Sequence, residues 1–220
     1  MSGLRLRISF QCSDKPVKDQ FQYLGITIII STKMNENRTL YTITIFSENT
    51  VGVLNQITTI FTRRQLNIET LSVSPSAIKG IHKFTITTFS DNEEVMKKLI
   101  PLIDKRVDIL KAYYNTNEDL VHQELALYKL STEKVLEHGS IEYLVRKYNV
   151  RILEVSKDCV VFLKAGHYEE TQGLFEELAD TIGVLQFVRS GRIAITKSRV
   201  ERLSDMLAKR ERDNETMFVG

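Results

Sequence analysis

Two successive copies of one order of strands and helices constrain the fold of this 220-residue chain. Residues 40–114 have patterns typical of strand, helix, strand, strand, helix and strand. The order strand, helix, strand, strand, helix recurs from residue 124 onwards. We therefore predict an α+β protein with two ferredoxin-like βαββαβ domains, each with two helices on one face of an antiparallel sheet.

The first copy has the clearer periodicities. LYTITIF (residues 40–46) alternates apolar residues with threonines, which is typical of a half-buried strand. Apolar residues then recur at helical spacing beyond Gly52. Asp91 and Glu94 form a capping-box pattern that predicts the start of a second helix. Pro101 is expected to kink that helix or to end it early.

The domain limits follow from the polar stretch NTNEDLVHQ, which lacks a clear period and is predicted to be a linker. The residues before the first domain are either a genuine extension, disordered in part, or a misassigned start, in which case the protein begins at Met34. We expect an N-terminal extension (1–33), a first domain (34–115), the linker (116–123), a second domain (124–197) and a charged tail (198–220).

Composition excludes several classes of protein. The 30 basic residues are scattered and nearly balanced by 28 acidic ones, which argues against nucleic-acid binding. KGIHKFTI mimics an RNA-recognition motif, but Ile81 and Lys83 stand where aromatic residues should stack on bases. Cys12 and Cys159 lie far apart, as is typical of a reduced, cytoplasmic protein. No stretch approaches the ~20 apolar residues that span a membrane.

The sequence gives no support for catalysis or a metal site on this chain. The four histidines lack the spacing of metal ligands, and no nucleophile elbow or phosphate-binding loop occurs. Pairs of glutamates stand in the first turns of predicted helices, where the helix dipole explains them. The histidines are His82, His122, His138 and His167. We therefore predict that this chain has neither catalytic nor metal-binding residues.

The turn at residues 47–53 is the best candidate for a binding site. The first N–H groups of a helix lack partners and can receive a carboxylate, and Gly52 lets a ligand approach the backbone. The amides of Asn49 and Asn67 can hydrogen-bond both charged groups of an amino acid. Aliphatic neighbours favour a small branched side chain. The candidate residues are Asn49, Gly52, Val53, Leu54, Asn67 and Ile68.

A structural explanation of the same residues remains open on spacing alone. In that alternative, Asn49 caps the helix, Gly52 makes the turn and Asn67 starts a strand. No ligand is then required.

The segment LYTITIFSENTVGVLNQITTIFTRRQLNIETLSV strongly resembles the ACT domain of the small regulatory subunits of acetolactate synthase (acetohydroxyacid synthase). The resemblance continues through KFTITTFSD and RVDILKAYY, and again at QFVRSGRIAI, where that family has a similar Arg-Ser-Gly turn. It spans about residues 40–197. Residues 1–33 and the tail fall outside it, and the second domain resembles the family less closely.

The resemblance implies a non-catalytic subunit that forms a homodimer through its ACT domains and binds valine or another branched-chain amino acid between them. Asn49, Gly52, Val53 and Leu54 would contact the amino acid, with Asn67 and Ile68 offered by the second chain. The family subunit activates a catalytic subunit and makes it sensitive to feedback inhibition.

Cofactors and partners follow from the same resemblance. Thiamine diphosphate, magnesium and FAD would belong to the catalytic subunit, with no cofactor on this chain. By analogy, the second domain would contact that subunit. The alternative function is an ACT-domain amino-acid sensor that regulates a different enzyme.

Overall fold

The computed structural model describes residues 38–197. The predicted extension, the start at Met34 and the charged tail lie outside these residues. A 3-10 helix (Asn117–Asp119) precedes β5. The other elements are β1 (Thr39–Glu48), α1 (Val53–Arg63), β2 (Thr70–Pro75), β3 (Ile81–Ser90), α2 (Glu93–Asp104), β4 (Ile109–Asn115), β5 (Leu120–Ser131), α3 (Thr132–Glu137), α4 (Ile141–Tyr148), β6 (Arg151–Val155), β7 (Cys159–Gly166), α5 (Tyr168–Thr181), β8 (Val184–Arg189) and β9 (Ile193–Thr196).

Both sheets have the strand order of a ferredoxin-like fold. The first sheet has the order β2-β3-β1-β4, and the second has the equivalent order β6-β7-β5-β8, with β9 paired to β5. In the first sheet β1 is central, with β3 and β4 antiparallel on either side of it. The predicted fold class is confirmed.

One face of the first sheet packs against α1 and α2. Its apolar residues alternate along β1, as LYTITIF predicted, and both helices bury one side against them. Full burial of such an aliphatic or aromatic side chain contributes about 1.5–3 kcal/mol. The core residues that anchor this packing include Tyr41, Ile43, Ile45, Ile57, Phe61 and Leu99.

The opposite face of the first sheet is also buried, although the alternation predicted a half-buried strand. Thr42 and Thr44 on β1 are only 1% and 3% exposed, and Thr85 and Thr87 on β3 are 5% and 2% exposed. We call these four threonines the polar face. Segment 190–194, which is remote in sequence, contacts this side of the sheet at Thr42, Thr70 and Lys83.

The second helix starts one residue later than its capping pattern predicted. The Asn92 side chain accepts a hydrogen bond from the Glu94 N–H over 2.8 Å, which makes Asn92 the N-cap. Asp91 instead forms an ion pair with Arg38 at 2.9 Å. The Asn92 side chain reaches the second N–H of the helix, so Asn92 rather than Asp91 satisfies that donor.

Pro101 does not end this helix, contrary to one of the two predicted outcomes. The helix continues to Asp104, and the Lys105 N–H donates to the Pro101 carbonyl over 3.2 Å. Proline removes one backbone donor, and so close to the end of a helix only one hydrogen bond is lost.

Strand β5 begins at Leu120, inside the stretch whose polarity had suggested a linker. Its first four residues pair with β9, from Leu120 opposite Thr196 to Gln123 opposite Ile193. A partner strand 70 or more residues away in sequence leaves no local pattern. The domain limits themselves remain a prediction.

The described residues form two compact units. Gly139, with φ 135°, lies between α3 and α4 and separates the two helices. The second unit has its own aromatic packing, in which the Phe187 ring lies 4.5 Å from Phe175 and 5.1 Å from Tyr128. The first unit contains residues 38–126, 164–171 and 189–197, and the second contains 127–163 and 172–188.

Candidate functional site

The turn between β1 and α1 depends on the backbone of Gly52. This residue has φ 93° and ψ −9°, a left-handed conformation that glycine adopts without the cost that a β-carbon imposes. It is the N-cap of α1, and no side chain caps the helix. Of the structural alternative, the cap by Asn49 is wrong, the turn made by Gly52 is confirmed, and the strand begins at Thr70, three residues after Asn67.

The N-terminus of α1 is open to solvent. The first intrahelical bond runs from the Gln56 N–H to the Gly52 carbonyl over 3.0 Å, so the earlier N–H groups of the helix have no partner within it. A β-carbon added at Gly52 would meet nothing within 4 Å. Val51 is fully exposed and Leu54 is 43% exposed beside this end. An anion with an aliphatic group has room here.

Hydrogen bonds on both sides fix the position of the turn. The Asn49 N–H donates to the Gly80 carbonyl and the Glu48 N–H donates to the Asp108 carbonyl, each over 2.9 Å. The Gln56 side chain donates to the Asp108 carboxylate over 3.2 Å. Asn49 itself is exposed, so its backbone is held while its amide faces solvent.

Two candidate residues take part in the core. Val53, the first residue of α1, is 3% exposed and packs into the core, so only its backbone N–H can reach a ligand. Ile68 is partly buried against the same core. The side chain of Leu54 is the one that α1 offers at this end.

Asn67 and Ile68 lie beyond the opposite end of α1. The helix has 11 residues and is therefore about 16 Å long. The side-chain amide of Asn67 donates to the Glu69 carboxylate over 2.9 Å, and the backbone carbonyl of Asn67 accepts from the Thr88 hydroxyl over 2.6 Å. One chain thus brings together four of the six candidate residues and leaves Asn67 and Ile68 apart from them.

Sequence reasoning missed a polar cluster that contains Arg192. Its Nη1 donates to the Thr42 hydroxyl over 3.1 Å and to the Asn117 side chain over 2.6 Å. Burial lowers the pKa of the Arg192 guanidinium, and the charges of Glu169 and Glu124 partly oppose this effect. No local signal connects Arg192 with a residue 150 positions earlier.

Glu124 is a buried carboxylate in the same unit. It is 6% exposed, accepts a hydrogen bond from the Thr171 hydroxyl and lies 3.4 Å from Arg189 Nε. The Arg189 guanidinium stacks 4.1 Å over the Tyr168 ring. The alternation of β5 could have identified Glu124, because it is in phase with the buried Ala126.

His122 and His167 form a ring contact, with centroids 4.8 Å apart. Burial is the main cause that lowers the pKa of His122, and Arg192 lowers it further. Among residues 38–197, no group of three or more His, Cys, Asp or Glu side chains is placed to hold a metal. In the same range, no helix has the length and apolar character to cross a membrane.

Comparison with protein families gives two matches. A model described as the ACT domain matches residues 41–108. A model described as the small subunit of acetolactate synthase matches residues 123–198. The first match contains the turn at 49–52, and the second contains Glu124 and Arg192.

Individual proteins agree with these matches. The acetolactate synthase small subunit of Bacillus subtilis is 28% identical over 162 residues, which cover 74% of this chain and 93% of that protein. A probable acetolactate synthase small subunit of Archaeoglobus fulgidus is 28% identical over 157 residues, which cover 71% and 96%.

A solved structure supports the fold. The crystal structure of the acetolactate synthase small subunit from Thermotoga maritima superposes with a TM-score of 0.64 at 21% identity. The aligned part covers 73% of this chain and 99% of that one. The arrangement of strands and helices described above is thus shared with a known small subunit.

Proposed function

Because this chain belongs to the family of acetolactate synthase small subunits, we propose that it is a non-catalytic regulatory subunit that binds valine or a related branched-chain amino acid. The amino acid binds at the turn 49–52. Its binding makes a separate thiamine-diphosphate-dependent catalytic subunit sensitive to feedback inhibition, and the chain also activates that subunit.

The observation that carries this proposal is the uncapped, exposed N-terminus of α1 behind Gly52. The ligand carboxylate accepts hydrogen bonds from the backbone N–H groups of Val53 and Leu54, where the helix dipole favours a negative charge. The side-chain amide oxygen of Asn49 accepts a hydrogen bond from the ammonium group of the ligand. The exposed side chains of Val51 and Leu54 favour an aliphatic ligand over a charged one.

A homodimer completes the site in this proposal. One chain keeps Asn67 and Ile68 a helix length from Gly52, so these residues contact the ligand only if a second copy supplies them. Strand β2 begins three residues after Asn67, at Thr70, and lies at the edge of the first sheet. An edge strand has unpaired backbone groups that a second copy can pair with.

Reconstitution with the acetolactate synthase catalytic subunit of the same organism tests the function. We expect this chain to raise the rate of acetolactate formation, and valine to lower that rate only when the chain is present. A catalytic subunit whose rate and valine response ignore this chain would contradict the proposal. That result would favour an amino-acid sensor that regulates another enzyme.

A further inference from the structure

The polar face offers a continuous row of hydrogen-bonding side chains across the first sheet. Thr70 on β2 is opposite Thr87 on β3, Thr87 is opposite Thr42 on β1, and Thr42 is opposite Asn115 on β4. Thr70 and Thr87 already share a hydrogen bond of 2.7 Å. Neighbouring strands are about 4.8 Å apart, so each side chain in the row lies about one strand spacing from the next.

Segment 190–194 contacts this side of the sheet at several points. Arg192 donates to Thr42, as described above. Gly191 has φ 76°, a conformation that favours glycine, and a β-carbon there would be in van der Waals contact with the Thr70 side chain at 3.4 Å. The Lys83 ammonium donates to the Ala194 carbonyl over 3.1 Å.

The same segment is bonded to β5 and continues into β9. The Ser190 N–H donates to the Leu125 carbonyl over 2.9 Å, and the Leu125 N–H donates to the Ser190 hydroxyl over 3.0 Å. A displacement of the segment along the polar face would therefore also displace its contacts with β5. Arg192 is the charged contact between the segment and β1.

A second acceptor for Arg192 lies next to the first. The side-chain oxygen of Asn115 is buried and has no hydrogen-bond partner within residues 38–197, and Asn115 is directly opposite Thr42. Arg192 has five N–H donors and now bonds to two neutral oxygens, Thr42 and Asn117. If the Arg192 guanidinium donated to the Asn115 side-chain oxygen instead of the Thr42 hydroxyl, it would keep two hydrogen bonds. The buried oxygen of Asn115 would then also have a partner.

The β1–β4 pair connects this row to the turn. Strand β1 ends at Glu48, immediately before the turn, and its pairing with β4 shifts register between Phe46 and Ser47. Such an irregularity bends the strand and increases its local twist, and Thr42–Phe46, on the other side of it from the turn, pair regularly with β4. Strand β1 is thus the continuous connection between the turn and the Thr42–Asn115 pair.

We propose that Arg192 is a positioning residue that exchanges between Thr42 and Asn115 and thereby couples amino-acid binding at the turn 49–52 to β5 and β9. This inference rests on the proposed function. It supplies the element with two arrangements that coupling between two sites requires. A substitution at the Arg192 contact should therefore change the response of β5 and β9 without changing the affinity for the amino acid.

Hydrogen exchange of the full chain without ligand tests the contact itself. Arg192→Gln and Thr42→Val should each raise the exchange rates of the amides at 120–123 and 193–196 by at least tenfold. Thr42→Val keeps the side-chain shape and removes the acceptor, so it decides the question if Arg192→Gln fails to fold. Thr44→Val is the matched control, one row along the same face, and should leave these rates unchanged. Wild-type exchange rates in Thr42→Val would overturn the contact.

Hydrogen exchange with and without saturating valine tests the coupling. In the wild type, valine should change the exchange rates at 120–123 and 193–196 at least threefold. In Thr42→Val and in Asn115→Asp, which would hold the guanidinium by its charge, this response should be lost while valine still binds. A response that persists in both variants would overturn the coupling alone. If valine binds neither to the wild-type chain nor to its complex with the catalytic subunit, the coupling and the proposed function are both overturned. The hydrogen exchange measured without ligand still decides the Arg192 contact in that case.

Discussion

The side-chain amide of Gln56 donates to the carboxylate of Asp108 over 3.2 Å, while the backbone N–H of Gln56 donates to the Gly52 carbonyl. Gln56 therefore connects the start of α1 with the residue that precedes β4. It also holds a negative charge near the positive end of the α1 dipole, where the carboxylate of an amino-acid ligand is proposed to bind.

Asp108→Asn should strengthen binding of the amino acid. The substitution removes a negative charge that opposes the ligand carboxylate, and an asparagine oxygen can still accept from Gln56. We expect the dissociation constant for valine to fall about two- to fivefold, as is typical of ~0.3–1 kcal/mol for one charge at a helix end. Titration calorimetry at low ionic strength measures it, and weaker binding in the variant would contradict the placement of the ligand carboxylate.

Gly52→Asp should abolish binding of the amino acid. Asparagine and aspartate tolerate a left-handed backbone about equally, so Gly52→Asn is a control that shares the backbone cost of about 1 kcal/mol. Only the aspartate adds a carboxylate next to that of the ligand. We expect at least tenfold weaker valine binding in Gly52→Asp than in Gly52→Asn. Equal affinities in the two variants would place the ligand elsewhere.

Asn92→Ala should destabilise the first domain by about 1 kcal/mol, since it removes the N-cap of α2. Asp91→Ala is the matched control at the residue that the sequence pattern favoured. It removes only an exposed ion pair with Arg38, which contributes about 0–1 kcal/mol. Urea unfolding measures both, and a larger loss from Asp91→Ala would contradict the observed cap.

The stability of the wild type should fall as the pH drops below about 6.5, in part because of His122. Its pKa is lower in the folded chain than in the unfolded chain, through burial and the charges of Arg192, His167 and Lys197, with Glu169 opposing them. The unfolded chain therefore binds the proton first, and acid favours unfolding. We expect His122→Gln to lose less free energy of unfolding than the wild type between pH 7.5 and 5.5. An equal loss in both proteins would contradict this role of His122.

Much of the fold could be predicted because its signals are local. The alternation along β1 and the helical spacing after Gly52 are set by which face of each element meets the core. The repeated order of elements then restricts each sheet to few arrangements. Gly52 was also recognisable, since a glycine between a strand and a helix commonly marks a left-handed backbone.

The remaining features depend on contacts that are distant in sequence. Nothing around Thr42 indicates that Arg192 will cover it, so the threonines were expected to face solvent. The choice of Asn92 over Asp91 as N-cap depends on a shift of one residue in the helix start. The separation of Asn67 from Gly52 follows from the length of α1, and whether a second copy brings them together is a property of two chains.

Titration calorimetry of valine into the full-length chain tests the central claim most directly, with Gly52→Asp and Gly52→Asn titrated in parallel. We predict saturable binding to the wild type that lysine does not reproduce, with loss of binding in Gly52→Asp and retention in Gly52→Asn. Valine binding that is unchanged in Gly52→Asp, or a wild-type chain that binds valine neither alone nor with the catalytic subunit, would contradict the claim that this turn is an amino-acid site.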